Sequence, residues 1–407
     1  MGPPSQHWTG FAGLDTESEK FKLIQQIFSA AKFDYLAAQA VEARRRTLPD
    51  LPSDVVCHVN RTLFAAGFQN VVLELAFSDG QYWVARVPYR KFKKWERQSL
   101  LSEIATMKIV SEKTAVPVAQ VFAFNLCTTP EDQPFGYPYV LMECLPGSSL
   151  PGPLPLVVPE EHHAKVALQL ATCLFDLSRL TYSRIGRLWC GPQADQSPEI
   201  IGMAWHAKPG PLATSLEYFY NHRQDQNREV VAAHPDDPDW RTACWVLKSS
   251  LTHIALGDRV HGPFPLCHLD LHRGNMMFDD EYNLTGIIDW ANAQAAPLEQ
   301  LSVCMELMTF PAKKPEENAP IVNFKRLVVS YLSKLEQERK EEIPADSKDI
   351  TSLSTYLASS SAEIVLRQYI ATPRNSLAVG KRVAKLIYGE AVSWEQLREV
   401  YGGKTLF

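Results

Sequence analysis

The hydrophobic rhythm of the chain changes twice. From Glu19 onward, apolar residues recur at three- and four-residue spacing: Phe21, Ile24, Ile27, Phe28 and Ala31. That period sets them on one face of a helix. A second helical stretch carries Leu36, Ala40 and Val41 and ends in Arg44, Arg45 and Arg46. Cations complement the dipole at a helix C-terminus, and this reading of the basic run is preferred to a localisation signal. Residues 1–17 are polar, with Pro and Gly, and are expected to be loosely ordered.

From Val55 to Val140 the pattern becomes strand-rich. Residues 71–77 form a β-branched and aromatic run, Ser78-Asp79-Gly80 is a turn signal, and 82–87 is a second strand, so the pair reads as a hairpin. A helix over about 95–111 follows, with Leu100, Leu101, Ile104, Met107 and Ile109 apolar. Pro117 leads out of it into a strand at 118–124, and 139–142 is a last short strand. The Pro- and Gly-rich stretch from Leu145 to Pro159 reads as a connector. The remainder is mainly helical apart from one central hairpin. Strands first and helices after imply an α+β chain in two lobes. The expected division is a partly helical extension at 1–50, a sheet-plus-helix N-lobe at 51–144, a hinge at 145–159 and a C-lobe at 160–407. No internal repeat is visible. The charged stretches at 314–319 and 336–348 read as solvated helix faces and loops.

Composition narrows the classes. Of 407 residues, 45% are hydrophobic and 21% charged, enough to bury a large core. A net charge of −5 gives no basic face for nucleic acid. The first residues lack the basic and apolar regions of a signal peptide, and Gln6 stands where a myristoylation pattern wants Ser or Thr. The apolar stretch at 164–175 is broken by Lys165 and Gln169, so no bilayer span is expected. A cytoplasmic chain without nucleic-acid or membrane partners is the expectation. The eight cysteines (Cys57, Cys127, Cys144, Cys173, Cys190, Cys244, Cys267, Cys304) make no C-x-x-C pair and read as reduced, mostly buried thiols.

The most informative run is Cys267-His268-Leu269-Asp270-Leu271-His272-Arg273-Gly274-Asn275. Four residues separate Asp270 from Asn275, the spacing of a kinase catalytic loop, in which Asp accepts the proton of the acceptor hydroxyl and Asn holds a metal ion. Residues 276–278 then read as a strand, 279–283 as a turn and 284–288 as the returning strand. Asn275 precedes this hairpin and Asp289 follows it, so antiparallel pairing brings the two together with Asp270 one loop away. Hard oxygen ligands converging in this way suit magnesium on nucleotide phosphates. A competing reading makes His268-x-Asp270-x-His272 a metal-hydrolase cluster, but no second His pair stands at suitable spacing.

Asp270-x-x-x-x-Asn275 followed by Ile287-Ile288-Asp289-Trp290 resembles the signature of the aminoglycoside phosphotransferase family, in which the metal-binding Asp precedes Trp or Phe. The likeness is to fungal-type members and covers about residues 55–310. It implies a bilobal, protein-kinase-like fold and an ATP-dependent (GTP is possible) transfer of phosphate to a hydroxyl of a small molecule. Asp270 would act as the base, Asn275 and Asp289 would hold Mg2+, and His268 and His272 would brace the loop. Oligomeric state is not legible. A protein kinase is disfavoured because Pro297-Leu298-Glu299 follows Asp289 closely, in place of a long activation segment.

The first lobe tests this likeness. Ala66-Gly67-Phe68-Gln69-Asn70 would cover the phosphates, with one glycine where protein kinases have three. Trp83-Val84-Ala85-Arg86-Val87 resembles the V-A-I-K strand with Arg86 in place of Lys, an exchange that is not conservative. Glu103 is the expected brace for Arg86, with Glu96 the competitor. Backbone groups near Glu143 to Leu145 would meet the purine edge. Candidates for an acceptor pocket are Trp205, Tyr218, Tyr220, Trp240 and Trp245 and the acids Glu217, Asp236, Asp237 and Asp239, all of which also read as core or solvated positions. Arg86 and the sparse glycine loop leave a second reading, a weak or inactive kinase-like module that binds nucleotide or ligand.

Overall fold

The structure is a computed structural model describing residues 3–90, 94–127, 133–203, 209–309 and 314–407. Two helices, α1 (Glu19–Ala30) and α2 (Phe33–Thr47), precede an antiparallel sheet of β1 (Cys57–Ala66), β2 (Asn70–Phe77), β3 (Tyr82–Pro88), β4 (Val121–Asn125) and β5 (Tyr139–Glu143), in the order β1-β2-β3-β5-β4. Strand alternation assigns the two faces. Leu73, Leu75, Trp83, Ala85 and Val87 pack with Ile24, Ile27, Leu36 and Ala40 of α1 and α2. The opposite face carries Glu74, Val84 and Arg86. On that side α3 (Lys94–Lys113) sets Leu100, Leu101 and Ile104 against Val140 of β5.

Residues 3–17 differ from the loose order expected of them. Two short turns, Pro4–His7 and Gly10–Gly13, lie along the chain here, and Ser5 and Gly10 are buried. Phe11 meets the rings of Phe21, Phe28 and Phe64 at centroid distances of 5.2, 5.2 and 4.9 Å. A single aromatic anchor suffices to order a polar segment, and it carries no periodic signal. The basic run of α2 has a structural use as well: Arg44 is buried, forks onto Asp79 at 2.7 and 2.5 Å and lies over the Phe77 ring.

The connector runs from β5 into α4 (Leu154–Val157) and α5 (Glu160–Arg179). The second lobe contains β6 (Thr181–Tyr182), β7 (Arg187–Trp189), β8 (Glu199–Ile201), α6 (Ser215–Ala233), α7 (Pro238–Ser249), α8 (Leu251–Ile254) and β9 (Phe264–Cys267). It continues through β10 (Met276–Phe278), β11 (Leu284–Ile287), β12 (Gln294–Ala295), α9 (Leu298–Leu301) and α10 (Pro315–Glu338). It closes with α11 (Leu353–Ala358), α12 (Ser360–Ile370), α13 (Ser376–Tyr388) and α14 (Trp394–Tyr401). The expected hairpin is β10–β11. Alongside it are two small sheets that the pattern did not announce, β12-β9-β6 and β7-β8. Strands this short show no period of two, and β9 is buried at every residue. No helix among the described residues is long and apolar enough to cross a membrane.

The connector is pinned to the β10–β11 hairpin. Ser148 and Phe278 exchange both backbone hydrogen bonds at 2.9 Å, and Thr285 Oγ1 donates to Pro146 O at 2.5 Å. Gly147 makes this approach possible: its φ is +85°, and a Cβ there would lie 2.2 Å from Phe278 O. Gly80, at φ +80°, has open space around its missing Cβ. Gly147→Ala is therefore expected to lose on the order of 2–3 kcal/mol in urea denaturation, from backbone strain plus displacement of β10. Gly80→Ala, with strain alone, should lose about 1 kcal/mol. Equal losses at the two positions would show that the Gly147 contact adds nothing.

Candidate active site

The loop from β9 to β10 is shaped by a neutral histidine. His268 is buried and its Nε2 lies 3.0 Å from Ile288 O, while its Nδ1 accepts the Asp270 N–H at 3.3 Å. These two partners require the imidazole protonated at Nε2 only. Burial pushes its pKa down to about 4, which keeps it so. Leu269, at φ 61°, turns the chain just before Asp270, and Tyr369 donates its hydroxyl to the Leu269 carbonyl. Asp270 is 36% exposed, with Oδ1 3.6 Å from His272 Nε2. His272 Nδ1 accepts the Gly274 N–H at 2.9 Å. Asn275 Nδ2 donates to Asp270 O at 2.9 Å, and its amide oxygen is the end left to accept a cation. The buried Glu306 holds the loop from behind, accepting Arg273 N–H at 2.9 Å through one oxygen and Leu154 N–H at 2.7 Å through the other.

The hairpin then returns the chain to the same place. Met276 pairs with Ile287, and Ile288 N–H donates to Asn275 O at 2.9 Å. Asp289 follows in the left-handed region, φ 61° and ψ 61°, a conformation that costs about 1–3 kcal/mol for a residue with a Cβ. Trp290 is fully buried, donates Nε1–H to Ile287 O at 2.9 Å and packs edge-on against His268 at 4.7 Å. The Trp of the Asp-Trp pair thus fastens the tight exit from β11.

From the first lobe, Arg86, partly buried, forks onto the buried Glu103 at 2.7 and 2.8 Å. Burial works against the guanidinium charge, but Glu103 and, farther off, Asp289 outweigh it and hold its pKa above the ordinary value. Asp289 shows the reciprocal imbalance. Burial and the nearby Glu103 and Asp270 raise its pKa against the pull of Arg86. Arg86 thus faces Glu103 and Asp289, with Asp270 acting on Asp289, a surplus of negative charge in which the Asp289 carboxylate and the Asn275 amide oxygen are hard oxygen donors suited to a divalent cation. Lys108, farther along α3, donates to Ala194 O. His268 and His272 are both committed within the loop, and among the described residues no group of three His, Cys, Asp or Glu is poised for a metal.

The other expected positions are less uniform. Gly67 N–H donates to Asn70 O at 2.9 Å, closing the β1–β2 turn, and Tyr89 donates to the carbonyls of Gly67 and Phe68. Phe68 is 91% exposed. A Cβ on Gly67 would meet only Asn70 O, at 3.4 Å, so the turn does not demand glycine. The Glu143 N–H is spent on Gln120 O at 2.8 Å, and its carboxylate accepts the Gln120 N–H, so this edge opens only from Cys144 onward. Leu145 packs where Gly286 lacks a Cβ.

Of the acceptor-pocket candidates, Trp205 lies outside the described residues. Glu217 forms the capping box of α6 with Thr214, and Asp237 caps α7. Asp239 accepts Trp394 Nε1–H at 2.8 Å, Trp240 stacks on His234 at 3.9 Å and Trp245 stacks on Tyr401. Tyr218 accepts from Gln294 Nε2 of β12 at 3.4 Å. The pattern missed Glu74, which lies opposite Val84 on the Arg86 face and accepts the Ser5 N–H at 2.8 Å. Alternation along β2 could have placed that carboxylate inside. It also missed Glu306 and Arg187, for which the sequence carries no local signal.

The sequence pattern of the phosphotransferase enzyme family, APH, matches residues 60–314. A curated relative, clavilactone A biosynthesis cluster protein Y of Ampulloclitocybe clavipes, is 24% identical over 278 residues. That match covers 63% of this chain and 66% of the relative's length. Among solved structures, a candidate aminoglycoside phosphotransferase from Ralstonia eutropha JMP134 superposes with a TM-score of 0.50 at 14% identity, covering 90% of this chain and 98% of that one. An ethanolamine kinase of Plasmodium vivax superposes at 0.49 and 12% identity, covering 98% and 97%. With its family pattern spanning most of both lobes, from β1 to the segment after α9, the chain belongs to the phosphotransferase enzyme family of the aminoglycoside phosphotransferase type.

Proposed function

We propose that this protein is an ATP-dependent O-phosphotransferase that moves the γ-phosphate to a hydroxyl of a small molecule. The observation that carries the reading is the meeting of Asp270, Asn275 and Asp289 with the Arg86–Glu103 pair. Asp270 orients the acceptor hydroxyl and takes its proton. As the new phosphorus–oxygen bond forms, the bond to the β-phosphate oxygen breaks and the nucleoside diphosphate leaves. Asn275 and Asp289 hold Mg2+, which neutralises charge on the phosphates when bound. Arg86, aligned by Glu103, presents its planar guanidinium to phosphate oxygens. The turn at Gly67 and Phe68 covers the phosphates, and backbone from Cys144 to Leu145 meets the base. Most of the barrier is lowered by positioning and charge, which suits a site built from buried, mutually braced groups. The family and the fungal relative favour a sugar, an amino alcohol or a secondary metabolite as acceptor.

Three outcomes follow from this reading. ATP at about 100 times its dissociation constant should add roughly 2.7 kcal/mol of stability, seen as a Mg2+-dependent rise of the melting temperature. No rise with millimolar ATP or GTP would favour the inactive module. On whichever acceptor a screen of sugars, amino alcohols and aminoglycosides identifies, Asp270→Asn should lower kcat about 10²–10⁴-fold with nucleotide affinity little changed. Wild-type turnover by that variant would remove Asp270 from its role. His268 braces the loop as a neutral ring, with its pKa moved from 6.5 to about 4. Between those values the unfolded chain binds the proton that the folded site excludes, so stability falls as pH falls through this window. On His268's account the protein should be about 2 kcal/mol less stable at pH 5 than at pH 7. In urea melts at the two pH values, His268→Gln should shrink the gap by that amount, and an unchanged gap would contradict it.

A further inference from the structure

Arg187, at the start of β7, has no place in the site described so far, yet it touches both elements that carry it. Its Nε donates to Ser102 Oγ at 3.1 Å and its NH1 to Ser99 Oγ at 2.5 Å. Its NH2 donates to Ser99 O at 3.1 Å and to Ala291 O at 2.6 Å. Ser102 immediately precedes Glu103 on α3. Ala291, whose carbonyl receives Arg187, lies two residues beyond Asp289 in the short turn Trp290–Asn292 that Asp289 opens. The guanidinium is buried, which lowers its pKa to about 10, and it remains charged at neutral pH.

We propose that Arg187 is a positioning residue, a fork that fixes the turn Trp290–Asn292, and with it the backbone of Asp289 that opens it, relative to the Arg86–Glu103 pair held by α3. The proposal rests on the phosphotransferase reading above, in which Asp289 holds the metal. Without the fork, α3 belongs to the first lobe and Asp289 to the second, and the left-handed turn at Asp289 loses one of its anchors. One nitrogen, NH2, joins Ser99 O to Ala291 O, while Nε and NH1 add the hydroxyls of Ser102 and Ser99. Lysine keeps the charge but has one nitrogen, so it loses the fork onto the serine hydroxyls that sets the turn against α3. Groups that orient a metal ligand from behind commonly change metal affinity 10–100-fold when removed.

The test measures Mn2+ binding to the full chain by electron paramagnetic resonance, with and without the non-hydrolysable nucleotide AMP-PNP. Arg187→Lys should weaken Mn2+ binding in the AMP-PNP complex about tenfold or more. Its affinity for AMP-PNP alone should change far less, a split that general loosening of the fold would not produce. Because Arg187 is buried, Ser102→Ala serves as a second variant: it removes one acceptor on α3 with little loss of volume and should weaken Mn2+ binding in the same direction. Wild-type Mn2+ affinity in folded Arg187→Lys, or in Ser102→Ala should the lysine variant not fold, overturns the proposal. Parallel loss of metal and nucleotide affinity does so too. A wild-type protein that takes up no Mn2+ with AMP-PNP overturns the phosphotransferase reading itself, a result distinct from failure of the variants alone.

Discussion

The Arg86 guanidinium, partly buried between Glu103 and Asp289 with Asp270 beyond, is the constraint around which the rest of the candidate site is arranged. Arg86 is paired with Glu103 and lies within electrostatic reach of Asp289, which in turn feels Asp270. Burying charge is costly unless it is paired and hydrogen-bonded. Arg86 and Glu103 satisfy each other through two short bonds, leaving Asp289 and Asp270 in surplus. Their negative charge is the attraction that the proposed metal and, through it, a nucleotide triphosphate would satisfy.

Holding like charges close requires backbone that does not relax. Leu269 and Asp289 both occupy the left-handed region, each immediately beside a residue with a proposed role or in one. Neighbouring groups fasten both turns. Tyr369 holds the Leu269 carbonyl, His268 bridges Asp270 to Ile288, and Trp290 closes the end of β11. Glu306 ties the catalytic segment to the connector, and Gly147 lets that connector lie against β10. The loop geometry is thus over-determined from several sides, which is how strain of this kind persists in a folded chain.

The exchange of Lys for Arg at position 86 changes what the first lobe can do. A guanidinium forks onto Glu103 and fixes its own plane, where an ammonium would swivel about a point contact. The N-terminal segment adds a second polar contact, since Ser5 bonds Glu74 on the same sheet face. These features make the first lobe of this chain a tightly cross-linked unit in which α3, the sheet and the N-terminal turn share buried polar contacts.

Local pattern in the sequence determined much of this. Period-2 and period-3.6 runs announced β2, β3, α1 and α3, because long elements with one buried face repeat their signal several times. The spacing of Asp270, Asn275 and Asp289 around a hairpin announced their convergence, because antiparallel pairing leaves little freedom over so short a loop. Short strands such as β7 and β9 stayed hidden, since a few residues show no period. The N-terminal turns were hidden for a similar reason: their order comes from Phe11 meeting rings far along the chain. Tertiary structure alone decided that Arg187 would join Ser99 and Ser102 to Ala291, that Glu306 would serve both Leu154 and Arg273, and that the Glu143 amide would be spent on Gln120. Such contacts depend on which side chains packing brings within hydrogen-bond reach across long separations, and no local pattern records that distance.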